Sequence, residues 1–157
     1  MKRFSFFLFS FFFLITYNIF SQCDLPQPFI GNTGANMTIM LTPPYIGSIS
    51  IDNPEDAYIV ALTDNGLVVG SVYFNSPDGS SDLSQGQGTI AVWGDDTATP
   101  DQDGAMANEN ISLKLVDGSS FYDLSSTSIV FVINGMSFQA GDASPSLNCS
   151  NSDSDSD

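Results

Sequence analysis

Short β-type runs separated by turn signals constrain the fold of this chain most. Residues 57–63 and 67–74 are rich in Val, Ile, Leu and Tyr, and Asp64, Asn65 and Gly66 lie between them. An Asn-Gly pair between two such runs is the strongest local signal for a β-hairpin, because both turn residues tolerate positive φ. The sequence therefore predicts antiparallel β-structure in the middle of the chain.

The same pattern recurs along the chain, and no segment keeps a helical period over three turns. Further predicted strands cover residues 37–41, 46–51, 89–93, 111–115, 121–124, 128–133 and 136–140. We interpret Asp117-Gly118 and Asn134-Gly135 as turns, the second of which closes a last hairpin. Short strands with regular turns predict an all-β fold over residues 23–149. The expected form is an antiparallel β-sandwich of about seven to nine short strands, immunoglobulin-like or jelly-roll-like.

Some predicted strands are apolar on both faces. In the first strand of the central hairpin, Ile59 and Ala61 point to one side while Tyr58 and Val60 point to the other. Antiparallel sandwich strands usually keep one wet face, so something must cover the second face here. The candidates are the Gly/Ser-rich loop at 75–88, the N-terminal segment of the domain, and a partner molecule.

The N-terminus predicts export. Positive charge at Lys2 and Arg3 precedes an almost entirely apolar run, which ends in polar residues near Gln22. This is the layout of a secretory signal peptide, so residues 1–22 are predicted to be cleaved. The apolar run is shorter than the roughly 20 residues of a spanning helix. Lipidation of Cys23 is the alternative, which the bulky side chain before it disfavours.

Acidic charge dominates the rest of the chain. Without the signal peptide, Lys114 is the one basic residue against 18 acidic residues, and the chain has no His. So acidic a chain repels phosphate backbones and anionic lipid surfaces. We therefore expect no nucleic-acid binding and no membrane contact beyond the signal peptide. Without His, the usual Ser-His-Asp and Cys-His catalytic arrangements cannot be built.

The two cysteines, Cys23 and Cys149, lie at the two edges of the predicted domain. Export permits a disulfide that would join these edges, and two unpaired thiols are the alternative. Residues 150–157 are Ser, Asn and Asp only, so they predict a disordered Ser/Asp-rich tail. This tail resembles the beginning of a Ser-Asp repeat stalk, as in a longer protein, although a short acidic tail explains it equally.

A loop with four carboxylates follows the strand that ends at Trp93. Asp95, Asp96, Asp101 and Asp103 lie within it. Carboxylates this close together repel one another unless water solvates them or a cation neutralises them. Calcium (Ca²⁺) takes about six to eight oxygen ligands in a flexible arrangement, so these side chains are candidate metal ligands.

Other residues near this loop could complete a calcium shell. Glu109 is the fifth candidate ligand, with Asn108 or backbone carbonyls beside it. The EF-hand template does not fit, because Thr99 and Asn110 would occupy its first and last positions. The alternative is ordinary turn chemistry, in which Asp side chains accept hydrogen bonds from nearby backbone N–H groups.

Three segments resemble parts of a module of bacterial secreted and cell-surface proteins. Residues 56–70 match its hairpin. Residues 90–104, Ile-Ala-Val-Trp-Gly-Asp-Asp-Thr-Ala-Thr-Pro-Asp-Gln-Asp-Gly, match its acidic block, and residues 110–115 match the strand after it. The Trp-Gly-Asp-Asp…Thr-Pro…Asp-Gly pattern is the more specific part. The resemblance implies a non-catalytic β-sandwich whose ligand is undefined.

The sequence thus predicts an exported, non-catalytic module with a structural or adhesive role at the cell surface. Its expected partner is an extracellular protein or glycan. A carbohydrate-binding module is the alternative, with aromatic platforms drawn from Trp93, Tyr45, Tyr58, Tyr73 and Tyr122. A glycosidase-like hydrolase with a carboxylate pair from Asp95, Asp96 and Glu109 is less favoured, because a small sandwich with one acidic loop rarely builds a substrate cleft.

Overall fold

A computed structural model describes residues 23–76, 83–84, 86 and 88–151. Within these residues, nine strands and one short helix follow one another along the chain. They are β1 (Asn36–Leu41), α1 (Pro43–Gly47), β2 (Tyr58–Thr63), β3 (Val68–Tyr73), β4 (Gly88–Trp93), β5 (Asn110–Asp117), β6 (Ser120–Asp123), β7 (Ile129–Val130), β8 (Met136–Gln139) and β9 (Ser146–Ser150). The predicted signal peptide and residues 152–157 of the predicted tail lie outside the described residues.

The strands form two sheets, which confirms the predicted all-β sandwich. Sheet A has the order β4-β1-β8, with β4 antiparallel and β8 parallel to β1. Sheet B has the order β3-β2-β5-β6-β9, and all of its neighbouring strands are antiparallel. The short strand β7 pairs with the beginning of β5, beyond the part of β5 that pairs with β6.

One face of each sheet supplies the hydrophobic core. Ile39 of β1 and Ile90 of β4 are fully buried on the inner face of sheet A. Ile59, Ala61 and Leu113 are buried on the facing side of sheet B. Each strand contributes every second residue to this layer, as the pleat requires. Burial of these apolar side chains is the main term that holds the two sheets together.

The central hairpin forms at the predicted turn. Gly66 donates its N–H to the carbonyl of Thr63 at 2.9 Å, and Thr63 donates to the carbonyl of Leu67 at 3.0 Å. β2 and β3 then pair in antiparallel register from Leu62 with Val68 onwards. A local Asn-Gly signal was therefore sufficient to predict this part of sheet B.

The predicted strand at 46–51 is wrong, because helix α1 covers its beginning. Pro43 and Pro44 open α1, and proline is favoured in the first helical turn, where its missing N–H needs no partner. Ser48 caps the other end through its N–H to Pro44 O at 3.2 Å and its hydroxyl to Tyr45 O at 2.7 Å. Within the described part of the chain, no helix has the length and apolar character needed to cross a membrane.

The last predicted hairpin is also wrong. β7 belongs to sheet B, whereas β8 pairs with β1 in sheet A. The turn at Asn134 and Gly135, where Asn134 has φ of 58° and Gly135 donates to Val132 O at 2.7 Å, carries the chain from one sheet to the other. Strand β9, which contains Cys149 and pairs with β6, was not predicted.

The predicted disulfide joins Cys23 to Cys149. Their Cα atoms lie 5.7 Å apart, and the bond spans 126 residues of sequence. The side chain of Asn151 also binds the backbone of Cys23. Its Oδ1 accepts a hydrogen bond from Cys23 N at 2.5 Å, and its Nδ2 donates to Cys23 O at 3.0 Å. The start of the described chain is therefore held beside β9 by one covalent bond and two hydrogen bonds.

Residues 23–30, which we call the strap, cover the outer face of sheet B. Leu25 packs against the apolar cluster that contains Tyr58 and Val60 of β2. The Tyr58 hydroxyl donates to the carbonyl of Pro26 at 2.9 Å. The second apolar face of β2 is thus covered by the N-terminal segment, one of the candidates that the sequence offered.

The strap continues to the far edge of sheet B. Phe29 donates its N–H to the hydroxyl of Ser71 on β3 at 3.0 Å, whereas the Ile30 side chain is 97% exposed. Beyond the strap, the hydroxyl of Thr33 donates to the carbonyl of Gly94 at the end of β4. The segment therefore crosses the whole outer face of sheet B before it joins sheet A.

Tyr45 and Tyr58 offer a matched test of buried hydroxyl groups. The Tyr45 hydroxyl is buried with no hydrogen-bond partner among the described residues, and burial raises the pKa of Tyr45 to about 12. We expect Tyr45→Phe to leave the free energy of unfolding unchanged or to raise it, and Tyr58→Phe to lower it by about 1 kcal/mol. Urea denaturation measures both variants. An equal loss of stability in the two variants would contradict the finding that the Tyr58 hydroxyl is hydrogen-bonded and the Tyr45 hydroxyl is not.

Candidate functional site

The acidic loop, residues 94–105, leaves sheet A at the end of β4. Its ends lie side by side, because Gly94 and Ala105 form a parallel bridge. Ala105 donates to the carbonyl of Trp93 at 2.9 Å, and Asp95 donates to the carbonyl of Ala105 at 3.0 Å. The loop is therefore closed at its base by backbone hydrogen bonds.

Close packing at the base of the loop depends on two glycines. A Cβ atom on Gly104 would lie 2.3 Å from the carbonyl carbon and oxygen of Gly94. A Cβ atom on Gly94 would lie 2.6 Å from Cζ of Phe131, whose side chain is buried. Contacts this short are repulsive, so any larger residue would push the loop away from the core.

Three of the predicted metal ligands hold the loop together. Asp103 N donates to Asp95 Oδ1 at 3.0 Å, and Asp96 N donates to Asp103 Oδ1 at 3.0 Å. Asp96 also caps its own turn, since its Oδ1 accepts from Ala98 N at 2.9 Å. These contacts are the turn chemistry that was the alternative to calcium, and they use one oxygen of each carboxylate.

The other two predicted ligands lie at the periphery of the loop. Asp101 is exposed, and its carbonyl accepts a hydrogen bond from the hydroxyl of Thr99 at 3.1 Å. Glu109 Oε2 accepts from Met106 N at 2.8 Å and from Gln102 Nε2 at 3.3 Å. Across residues 23–76, 83–84, 86 and 88–151, no group of three or more His, Cys, Asp or Glu side chains is placed to hold a metal ion. Calcium binding therefore stays a prediction.

The aromatic residues considered as sugar platforms do not share one exposed face. Tyr45 is a buried residue of α1, and Tyr122 packs against the core between the sheets. Trp93 is half-buried at the end of β4. Tyr58 and Tyr73 are the two that meet, with ring centroids 5.6 Å apart and ring planes tilted by 58°. The carbohydrate-binding alternative stays a prediction.

Tyr58 and Tyr73 line a cleft of about 460 Å³ between the strap and sheet B. Gln27 of the strap lines one side of it, and Glu55 and Asp56 line another. Burial raises the pKa of Tyr58, and the neighbouring Tyr73 raises it further, so the Tyr58 hydroxyl stays neutral at physiological pH. The sequence indicated both tyrosines, but no local signal placed these two carboxylates beside them.

Among the residues of β1, β4 and β8, the outer face of sheet A has no ionisable side chain. Met136 and Phe138 of β8 are 60% and 57% exposed on this face. The residues in register beside them are uncharged, namely Asn36, Thr38, Met40, Thr89, Ala91 and Trp93. β8 is also an edge strand, so within the described residues no strand pairs with its other side, where Phe138 O accepts a hydrogen bond from Thr127 Oγ1 at 3.5 Å. An uncharged face on so acidic a chain is a candidate contact surface.

Lys114 and Asp123 form an ion pair on the outer face of sheet B. The hydrogen bond from Lys114 lowers the pKa of Asp123. Partial burial raises this pKa in part, and a hydrogen bond from Asn148 lowers it again. Because the pKa is lower in the folded state, this stabilisation is complete above the unfolded pKa and disappears as pH falls through the folded one.

We therefore expect a pH-dependent effect of Asp123→Asn. At neutral pH the free energy of unfolding of the variant should be lower than that of the parent by less than about 1 kcal/mol. The loss is small because the Asp123 side chain is 43% exposed and water screens the ion pair. The difference should disappear in strongly acidic buffer. Urea denaturation of parent and variant at neutral and acidic pH measures it, and a difference that does not change with pH would contradict the assignment.

No protein-family model, curated protein or solved structure matches this chain. The sandwich fold and the disulfide are what the structure establishes. The resemblance to bacterial surface modules, carried by residues 56–70 and 90–104, remains a prediction.

Proposed function

We propose that this protein is an exported, non-catalytic β-sandwich module with an adhesive role at the cell surface. The observation that supports adhesion most directly is the uncharged outer face of sheet A, with Met136 and Phe138 exposed on an edge strand. Exposed apolar side chains grouped on one face are typical of protein contact surfaces. The proposed partner is therefore an extracellular protein, which would bury this face.

Export is supported by the disulfide between Cys23 and Cys149. Disulfides form and persist in oxidising compartments, so this bond is consistent with an extracellular protein. The absence of His from the sequence and the use of Asp95 and Asp103 in backbone hydrogen bonds support a binding role over a hydrolytic one.

Adhesion can be tested with beads that carry the exported, oxidised protein. We expect the beads to bind immobilised extracellular-matrix proteins, and Met136→Ser with Phe138→Ser to abolish binding. The matched control is Ile30→Ser with Leu147→Ser, which removes exposed apolar side chains, 97% and 60% exposed, from other places. Binding to glycans alone would favour a carbohydrate-binding module. Beads that bind neither class would overturn the adhesive role.

Calcium stabilisation through the acidic loop is part of the same proposal. Asp95 and Asp103 each keep one carboxylate oxygen outside the backbone hydrogen bonds that close the loop, and Asp101 is exposed beside them. A hard cation would relieve the repulsion between these groups. Free calcium at one hundred times its dissociation constant would add about 2.7 kcal/mol, which raises the melting temperature by several degrees.

We expect this shift between millimolar calcium and chelator in a thermal melt, and its loss in Asp101→Asn with Asp103→Asn. Because Asp103 also accepts a backbone hydrogen bond, the variant is compared with itself in the two buffers. Asp24→Asn with Asp142→Asn removes the same charge elsewhere and should keep the calcium response. Equal shifts in melting temperature in the parent and the loop variant would mean that the loop binds no calcium and that its Asp residues only form turn hydrogen bonds.

A further inference from the structure

The cleft between the strap and sheet B combines aromatic and acidic side chains. Tyr58 and Tyr73 belong to its lining, and Glu55 and Asp56 lie beside them. A volume of about 460 Å³ falls within the range of small-molecule sites. No basic side chain is among its lining residues. The chemistry of the walls is therefore suited to positive rather than negative charge.

The aromatic part of the cleft has the geometry of a corner. The two tyrosine rings are tilted by 58° with centroids 5.6 Å apart. Rings this close pack against each other, and Tyr58 is only 9% exposed, so the half-buried Tyr73 ring is the aromatic surface that the cleft offers. A cation within about 6 Å of a ring centroid gains from the negative charge on the ring face. The Tyr73 ring beside two carboxylates therefore favours a small alkylammonium group.

The acidic wall is fixed by a buried carboxylate. Asp117 is 5% exposed, and its two oxygens accept hydrogen bonds from Asp52 N and Asn53 N at 2.8 Å each. Asp56 N then donates to Asn53 O at 3.0 Å. These bonds hold the turn that presents the Glu55 and Asp56 carboxylates, both of which are on exposed residues.

The opposite wall is fixed by the strap. The Tyr58 hydroxyl holds Pro26 O, and Phe29 N is held by Ser71, so Gln27 lies between two anchored points. The disulfide at Cys23 secures the same segment from its start. Both walls are thus held in place before any ligand binds, which lowers the entropic cost of binding.

We propose that this cleft binds an organic ammonium group, with the Tyr73 ring against the cation and Glu55 and Asp56 balancing its charge. The cleft lies on sheet B, on the other side of the sandwich from the outer face of sheet A. Binding here does not depend on the proposed adhesive role, and either can fail alone.

Choline is the first probe, and its neutral tert-butyl isostere, dimethylbutanol, is the control ligand. In an NMR titration of the exported, oxidised protein, choline should shift the amides around Tyr58 and Tyr73 saturably. We expect a dissociation constant of the order of 1 mM, with the isostere binding at least about tenfold more weakly. Equal binding of the isostere, or no saturable shift with choline at about 50 mM, would overturn the proposal.

Variants test the two halves of the cleft separately. Glu55→Gln with Asp56→Asn should weaken choline binding about fivefold to tenfold. Asp64→Asn with Asp142→Asn, an equal change of charge elsewhere, should not. Tyr73→Leu should weaken binding while Tyr73→Phe keeps it, because the ring and not the hydroxyl contacts the cation. Unchanged affinity in both cleft variants, each with a melting curve that shows it folded, would sink the site.

Two further ligands define the source of the ammonium group. A methyl glycoside that binds more tightly than choline would overturn the proposal in favour of a sugar site. If choline binds, co-sedimentation with phosphatidylcholine vesicles assigns the group to a lipid headgroup. Choline binding without co-sedimentation assigns it to a soluble amine, and the proposal stands in both cases.

Discussion

The protein with Cys23→Ser and Cys149→Ser should lose about 4–5 kcal/mol of unfolding free energy relative to the oxidised parent. The bond closes a loop of 126 residues, and cross-linking a loop of that length removes much of the entropy of the unfolded chain. For a domain of this size the loss corresponds to a fall of about 15 °C in melting temperature. Differential scanning calorimetry measures it.

Reduction of the parent provides the control. Dithiothreitol should lower the parent to the melting temperature of the double serine variant, and it should leave the variant unchanged. The serine variant should also expose the strap, so amide exchange should accelerate at Leu25 and Phe29 more than at Ile59 in the core. Equal melting temperatures for the oxidised parent and the variant would show that the disulfide adds no stability.

Gly70→Ala should destabilise the fold by about 3 kcal/mol or more. A Cβ atom on Gly70 would lie 2.3 Å from the carbonyl oxygen of Ala91 and 3.1 Å from Cγ2 of Ile90. The first of these atoms is backbone and cannot turn away, so β3 and β4 must move apart at this contact between the two sheets. The register of β2 and β3 shifts between Ala61 and Leu62, opposite this glycine.

Gly47→Ala is the matched control for this substitution. A Cβ atom on Gly47 would meet no heavy atom within 4 Å, so the change should stay within about 0.5 kcal/mol. Guanidinium denaturation of both variants measures the difference between them. If Gly70→Ala were as stable as Gly47→Ala, the close approach of β3 to β4 would not exist in solution.

Local signals predicted the parts of the fold that local contacts build. The hairpin of β2 and β3 follows from its Asn-Gly turn, and the turn at Asp117-Gly118 joins β5 to β6 as predicted. The export context predicted the disulfide. Helix α1 also had a signal, the paired prolines at 43–44, but alternation of Ile and Ser after them resembles a strand.

Long-range pairing could not be predicted from the sequence. β8 lies parallel to β1, which comes almost one hundred residues earlier in the sequence. No turn residue specifies such a partner. The Asn134-Gly135 pair gives the same local signal as Asn65-Gly66. The turn at Asn134-Gly135 nevertheless carries the chain from sheet B to sheet A, whereas the turn at Asn65-Gly66 closes a hairpin. The apolar second face of β2 required a cover, but only the tertiary structure shows that the strap provides it.

The candidate sites also contain some contacts that local sequence predicts and others that depend on tertiary structure. Turn bonds such as Ala98 N to Asp96 are local, and the spacing of the Asp residues predicts them. The bonds from Asp103 N to Asp95 and from Asp96 N to Asp103 depend on the closed base of the loop. The cleft depends on tertiary structure still more, because Tyr73 and Glu55 come from different elements that meet only after sheet B has formed.

The bond between Cys23 and Cys149 also has a mechanical consequence. Tension applied between Cys23, the first residue left after the predicted cleavage, and the chain that follows Cys149 passes directly through the covalent cross-link. Of the two sheets, only the last residues of β9, Cys149 and Ser150, lie on that load path, because the residues from 24 to 148 form a closed loop to one side of it. Pulling on the ends of the oxidised domain should therefore extend the chain by almost nothing, whereas the reduced domain should unravel strand by strand.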